Sequence, residues 1–339
     1  MPDELDLLRH ANPVPDDGPH YADGALDHRT ELRLDRLLHQ APTTTDVQPR
    51  LLRRTRVAAP PRLMGALAAT GVVLIVVLTA LLGGPDPQSA VAAPRPLVVQ
   101  DGSPPVPLAL LADRARAAAE GGSPVLRKGT HVQSWSMSMS DQAPPVTLPQ
   151  ETVVRWRPDG SHTELVVATD PRHPGRPVVG DEGEAGLPQL VADGHVISRR
   201  DYPPSWSDAP PEAPPPHDAA RLRTYLRQAA YLPSTMNTDE VLDATEILLD
   251  HWTLGARESA ALARLLAETP GLRPVGRVTD RLGRTGQAYV HLGSQGARRM
   301  LIMDPSTGAV LGMEMTATRA EPRFRLKPGD VMQYSAWLR

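Results

Sequence analysis

The stretch Ser134-Trp135-Ser136-Met137-Ser138-Met139-Ser140 alternates serine with large apolar side chains. Successive side chains of a β-strand point to opposite faces of a sheet, so a period of two predicts a strand here. Trp135, Met137 and Met139 would share one face of that strand, and the serines would share the other.

More strands are predicted on both sides of this stretch. Residues 152–157 and 163–168 flank the turn sequence Pro158-Asp159-Gly160-Ser161, which predicts a hairpin. Further strands are expected at 272–279, 287–292, 299–304, 310–316 and 332–338. Short turns join most of them, so neighbouring strands should be antiparallel. Residues 170–216, which end in a proline-rich stretch, are expected to be mostly loop.

Helical patterns separate the two groups of strands. One helix is predicted at 108–120 and three more between 217 and 269, where Asn237 and Glu240 have the spacing of a capping box. The prediction for residues 108–339 is therefore an α+β domain: a curved antiparallel sheet with a helical layer on one face.

A transmembrane helix is predicted at residues 63–84, which contain no charged residue. About 20 helical residues cross the hydrocarbon core of a bilayer, so the length fits. Residues 85–107, which are rich in proline, are expected to form an extended stalk between this helix and the outer domain.

The orientation of the span follows from its flanking arginines. Arg50, Arg53, Arg54, Arg56 and Arg62 precede it, whereas the next positive residue after it is Arg95. The positive-inside rule places residues 1–62 in the cytoplasm and the domain outside, in a single-pass protein of the cell membrane. A cleaved signal peptide is the competing interpretation, but 62 residues precede the apolar run, and that run is longer than such peptides have.

Residues 1–62 form an acidic segment in which two short helices are predicted, at about 4–10 and 26–39. So few residues cannot bury a core of their own. They could dock on a cytoplasmic partner, or they could serve only to set the topology of the chain.

Several classes of function are disfavoured by composition. The net charge is −3, so no broad basic surface is expected to attract nucleic acid. Cysteine is absent, which excludes disulfides and thiolate chemistry. The histidines have no metal-binding spacing, and no nucleophile or phosphate-loop motif occurs. We therefore predict no catalytic, cofactor-binding or metal-binding residues and expect the chain not to be an enzyme.

The methionines of the predicted strands offer one candidate binding site. Methionine adapts to irregular apolar ligands, so Trp135, Met137 and Met139 could line a cavity for a lipid or another apolar molecule. The alternative is that these side chains belong to an ordinary core between the sheet and the helices.

The chain resembles a group of uncharacterised single-pass membrane proteins of high-GC Gram-positive bacteria. The residues that carry the resemblance are the opening Asp3-Glu4-Leu5-Asp6-Leu7-Leu8, the arginine-flanked span, and 272–279 through Asp304-Pro305-Ser306-Thr307-Gly308-Ala309-Val310-Leu311. Genes of that group often lie beside genes for extracytoplasmic-function sigma factors. A weaker resemblance, in the Asp-Pro-x-Thr-Gly turn and the layered architecture, is to lipoprotein-carrier and sigma-regulator sensor domains, which implies binding of acyl chains on a curved sheet.

Two functional hypotheses remain at this point. In the first, the chain is a signalling protein: the outer domain senses a ligand, and the cytoplasmic segment contacts a sigma factor or another regulator. In the second, it is a membrane-tethered module that binds lipid or another envelope component, with a tail that only fixes topology.

Overall fold

The alternation at Trp135 belongs to a long strand at the centre of a large antiparallel sheet. The computed structural model describes residues 94–139, 145–182, 188–205, 207–293 and 296–339. Its strands are β1 (Arg127–Ser138), β2 (Val146–Trp156), β3 (His162–Ala168), β4 (Val178–Glu182), β5 (Pro188–Val191), β6 (His195–Tyr202), β7 (Trp252–Thr253), β8 (Arg273–Thr279), β9 (Thr285–Leu292), β10 (Ala297–Met303), β11 (Val310–Ala317) and β12 (Val331–Trp337). The helices are α1 (Leu108–Ala119), α2 (Ala219–Ala229), α3 (Thr238–His251) and α4 (Ala256–Ala267), with a 3₁₀ turn at Pro322–Phe324.

The order of strands in the main sheet is β6-β3-β2-β1-β12-β11-β10-β9-β8, with the short β7 paired to β1. Every neighbouring pair along this order is antiparallel. β4 and β5 form a separate hairpin. The predicted α+β class and the antiparallel sheet are confirmed.

The four helices pack on one face of this sheet. Leu111 of α1, Leu248 of α3 and Leu265 of α4 belong to the same buried cluster as Leu301 of β10 and Trp337 of β12. Removal of this apolar surface from water is the main stabilising contribution to the domain, at roughly 25 cal/mol per Å² buried.

The expectation of a mostly irregular segment at 170–216 missed three strands. It contains β4, β5 and β6, and β6 pairs with β3 along most of its length, from Tyr202 opposite His162 to His195 opposite Ala168. Most side chains of β6 are at least partly exposed because this strand is at the edge of the main sheet, so it lacks the apolar pattern of a buried strand.

The membrane predictions fall largely outside the described residues. The acidic segment 1–62, the span 63–84 and the first part of the stalk, to residue 93, all lie there. Within the part of the chain that the structure describes, no helix has the length and apolar character needed to cross a membrane.

Candidate functional site

Trp135 lies on the face of the sheet opposite the helices, and its side chain is 1% exposed. It belongs to a second buried cluster, which we call the outer-face cluster: Trp135, Val278, Ala288, Val290, Met300, Ile302, Val331, Tyr334 and Ala336. The neighbouring Val132 packs in the helix-side cluster, as the predicted alternation requires.

The three residues predicted to bind a ligand have different environments. Trp135 is buried, Met137 is partly buried, and Met139, just beyond the end of β1, is 46% exposed. Of the other strand methionines, Met300 joins the outer-face cluster, whereas Met303 and Met313 pack on the helix side. The sheet therefore does not gather the methionines on one face.

Trp135 and Tyr334 form the aromatic centre of the outer-face cluster. They stand opposite each other on β1 and β12, with ring centroids 5.5 Å apart and an interplanar angle of 49°. The guanidinium of Arg172 lies 5.0 Å from the Trp135 ring, and that of Arg281 lies 5.1 Å from the Tyr334 ring. A cation at this distance is attracted by the negative face of an aromatic ring.

A buried ion pair adjoins these rings. Nη2 of Arg281 lies 2.5 Å from Oε2 of Glu314, and the two side chains are 5% and 0% exposed. Burial raises the pKa of Glu314 against the opposing effect of Arg281, and burial lowers the pKa of Arg281. An ion pair in such surroundings needs further hydrogen bonds to offset the loss of hydration.

Those further hydrogen bonds come from the chain that precedes α1. The backbone N–H of Leu97 donates to Oε1 of Glu314 at 2.9 Å, and Nη2 of Arg281 donates to the carbonyl oxygen of Arg95 at 2.9 Å. We call residues 94–103 the strap. The sequence places these residues in the proline-rich stalk; in the structure they lie against the sheet.

The strap continues along the edge of the sheet beside β8. Val99 forms an antiparallel bridge with Val278, and the N–H of Gln100 donates to the carbonyl oxygen of Arg277 at 2.8 Å. The N–H of Arg277 donates in turn to Oγ of Ser103 at 2.9 Å. The close approach requires glycine at position 276, because a Cβ atom there would stand 2.5 Å from Oγ of Ser103.

Arg172 lies at the other side of the cluster and is held by Asp170, with 2.6 Å between its Nη2 and Oδ2 of Asp170. Burial raises the pKa of Asp170, but the bonds from Arg172 outweigh this effect and keep the pKa below its usual value. The Arg172 side chain is 29% exposed, so this cation lies where the outer-face cluster meets solvent.

Three buried donors at this site have no hydrogen-bond partner among the described residues: Nε1 of Trp135, Nε of Arg281 and the hydroxyl of Tyr334. A buried donor without a partner costs about 1–3 kcal/mol, so each could gain from a ligand atom that accepts a hydrogen bond. The arrangement suits recognition of an aromatic or apolar group that carries an acceptor. It contains no nucleophile beside a base.

A second cluster of ionisable groups lies on α3, where Asp239, Asp243, Glu246 and Asp250 share one side of the helix. Arg299 of β10 contacts Asp243, with 2.5 Å between Nη2 and Oδ1. Burial, together with the charge of Asp250, raises the pKa of Glu246 to about 7. Desolvation raises the pKa of Asp250 as well, although the residue is exposed and Trp337 donates to its carboxylate. In the described part of the chain, no group of three or more His, Cys, Asp or Glu side chains is arranged to hold a metal ion.

No pattern in the sequence predicted a role for Arg172, Arg281 or Glu314. Glu314 was detectable, because it is the one charged residue in the otherwise uncharged strand Val310–Ala317. Its arginine partner was not, because Arg281 lies in a turn and 33 positions away in the chain.

Comparison with known proteins gives no family for this chain. No protein-family model matches it, and no curated protein matches it. Among solved structures, it was aligned with the dehydratase domain from the CurK module of the curacin polyketide synthase at 13% identity, over 74% of this chain and 85% of that one, with a TM-score of 0.13. A dehydratase domain of a trans-AT polyketide synthase from Brevibacillus brevis gives 11% identity, 71% and 88% coverage, and a TM-score of 0.11. Scores this low do not indicate a shared fold.

Proposed function

We propose that this chain is a single-pass membrane protein whose outer domain senses a ligand and signals to a cytoplasmic partner. The observation that supports the proposal is the attachment of the strap to the buried Arg281–Glu314 pair. The strap begins ten residues after the predicted span, and an extended chain covers at most about 3.6 Å per residue. The predicted membrane helix would therefore be tethered within roughly 36 Å of the start of the strap.

A ligand that acts on the outer-face cluster would also act on the strap. Trp135, Tyr334, Arg281 and Glu314 form one chain of contacts that ends at the backbone of Leu97. A ligand that binds Arg281 would compete with the hydrogen bonds that hold the strap. The strap would be attached to the ion pair without the ligand and released with it. A signalling protein requires two such states.

The cytoplasmic partner is proposed from the acidic segment 1–62. Leu34, Leu37 and Leu38 recur at helical spacing in the second predicted helix, which would present an apolar stripe to a partner. The resemblance to proteins encoded beside sigma factors makes a sigma factor, or another regulator, the partner to test first.

Photocrosslinking in living cells tests this proposal. A crosslinking amino acid at Leu34 should capture a discrete protein, whereas the same amino acid at Arg36, on the other side of the predicted helix, should capture less. If neither of these positions, nor any other in residues 1–62, gives a specific adduct, the signalling proposal fails.

A membrane-tethered lipid-binding or envelope-binding module is the second candidate. It is favoured by the exposure of Met139 and the partial exposure of Met137, which leave apolar side chains accessible at the end of β1. Deletion of residues 2–45 separates the candidates, because a tethered binding module would keep its activity and a signalling protein would lose it.

A further inference from the structure

A groove opens in the helical layer between α1, α4 and the start of α2, away from the outer-face cluster. Its volume is about 560 Å³. Ala112 of α1 and Ala260 of α4 line it, and their small side chains leave room between the two helices. A volume of roughly 300–1,000 Å³ is usual for sites that hold small molecules.

Three arginines from two helices line this groove: Arg116 of α1, and Arg257 and Arg264 of α4. Nε of Arg264 bonds to Oε1 of Glu268 at 2.9 Å. No ion pair joins Arg116 or Arg257 to a carboxylate of the residues that the structure describes. Among the described residues, the guanidinium groups of Arg116 and Arg257 therefore have no carboxylate in direct contact.

The other ionisable groups of the groove are Asp113, His217 and Asp218. Oδ1 of Asp218 accepts the backbone N–H of Arg221 at 2.9 Å and caps the N-terminus of α2. Its carboxylate is thus already engaged in a structural hydrogen bond. Asp113 is the remaining carboxylate among the lining residues of the groove.

The position of Arg257 is not explained by the stability of its own helix. Arg257 is the second residue of α4, at the end where the helix dipole is positive and a cation is disfavoured. An anion in the groove would interact favourably with both Arg257 and this end of the helix.

We propose that this groove binds a phosphate-bearing anion, held by Arg116 from α1 and Arg257 from α4. Guanidinium groups present parallel N–H donors that match the oxygen atoms of a phosphate, which is why arginine is preferred at such sites. This inference goes beyond the proposed signalling function, since binding in the groove requires neither the span nor the cytoplasmic segment. The phosphate could belong to a soluble molecule or to a lipid headgroup.

The test is a calorimetric titration of the full chain, held in phosphatidylcholine nanodiscs, with inorganic phosphate and with glycerol phosphate at constant ionic strength. Arg116→Gln combined with Arg257→Gln should weaken binding at least ~10-fold, which corresponds to about 1.4 kcal/mol. The matched control is Arg114→Gln combined with Arg221→Gln, which removes the same charge from exposed positions of α1 and α2 that do not line the groove. Binding to the control should be unchanged.

A second arm identifies the source of the phosphate. Hydrogen exchange of α1 and α4 is compared between nanodiscs of phosphatidylcholine alone and nanodiscs that also contain phosphatidylglycerol. Protection only with phosphatidylglycerol supports a lipid headgroup, and saturable binding of the soluble anions supports a free phosphate. The proposal is overturned if neither arm shows binding, or if the control pair weakens binding as much as the groove pair. Thermal unfolding of both variants checks that the fold is intact.

Discussion

The backbone amide of Leu97 donates a hydrogen bond to the fully buried carboxylate of Glu314, 217 positions away in the chain. Through this contact the strap helps to stabilise the negative charge of Glu314, which also neutralises Arg281. Detachment of the strap would leave that carboxylate with one donor fewer in surroundings where burial already disfavours its charge.

The ion pair should show strong coupling in a double-mutant cycle. Glu314→Met leaves the Arg281 charge buried without a counter-ion and should cost about 3–5 kcal/mol of unfolding free energy. The double variant Glu314→Met with Arg281→Met removes both charges and should recover most of that loss. Denaturant unfolding of the four proteins measures the coupling. Additive costs would mean that the two side chains do not act as a pair.

Leu97→Pro should loosen the strap without removing any side chain from the ion pair. Proline lacks the N–H that Glu314 accepts, so we expect a loss of about 1–3 kcal/mol. Hydrogen exchange should also become faster at Gln100, whose N–H bonds to Arg277. Val98→Pro is the matched control, because the Val98 side chain is 78% exposed and this change keeps the Leu97 donor. Equal effects of the two prolines would show that the bond to Glu314 is unimportant.

Trp135 and Met139 should respond differently to substitution. Trp135→Ala removes a buried ring and should cost about 3–5 kcal/mol, whereas Met139→Arg, at an exposed position, should change stability by less than about 0.5 kcal/mol. Native mass spectrometry of both proteins then tests ligand binding. A lipid-sized adduct that Met139→Arg removes while the fold persists would support an apolar ligand at the end of β1. An unliganded mass for the unmutated protein would argue against that ligand.

The carboxylates of α3 should make the domain less stable as the pH rises. The pKa of Glu246 is raised from 4.5 to about 7, so the folded state binds more protons than the unfolded state between these values. The contribution of Glu246 to stability is then largest below about pH 4.5 and is lost as the pH rises through about 7. Glu246→Gln should therefore raise the unfolding free energy at pH 8 by about 1 kcal/mol, after allowance for the partial exposure of this side chain, and change it little at pH 4.

The control for this effect is Glu268→Gln, which changes an exposed glutamate at the C-cap of α4. The melting temperatures of the three proteins, measured from pH 4 to pH 8, give the comparison. If Glu246→Gln leaves the slope of melting temperature against pH unchanged, the carboxylate of Glu246 does not cause that slope.

Patterns among residues close in the chain predicted most of the helices and strands. The Asn237–Glu240 capping box is present in both directions, with the N–H of Glu240 bonded to Asn237 and the N–H of Asn237 bonded to Glu240. The period of two at Trp135 also predicted which side chains share a face. These signals depend on residues close in the chain, and such contacts can be inferred from spacing alone.

The candidate site could not be predicted in the same way, because its contacts join distant parts of the chain. Arg172 meets Trp135, and Leu97 meets Glu314, through pairing that depends on the tertiary fold. The contact between the strap and the sheet was also hard to predict because of the prolines of the strap. Proline favours an extended chain both in solvent and beside an edge strand.

The place of β12 in the sheet has a consequence for biosynthesis. This strand comes last among the described strands in chain order, yet it lies between β1 and β11. Trp135 of β1 pairs with Tyr334 of β12 although they are separated by roughly 200 residues, so the two halves of the sheet cannot join until nearly all of this domain has left the ribosome. If the chain is exported, the edges of β1 and β11 stay unpaired until β12 has crossed the membrane. β12 then completes the sheet on the far side.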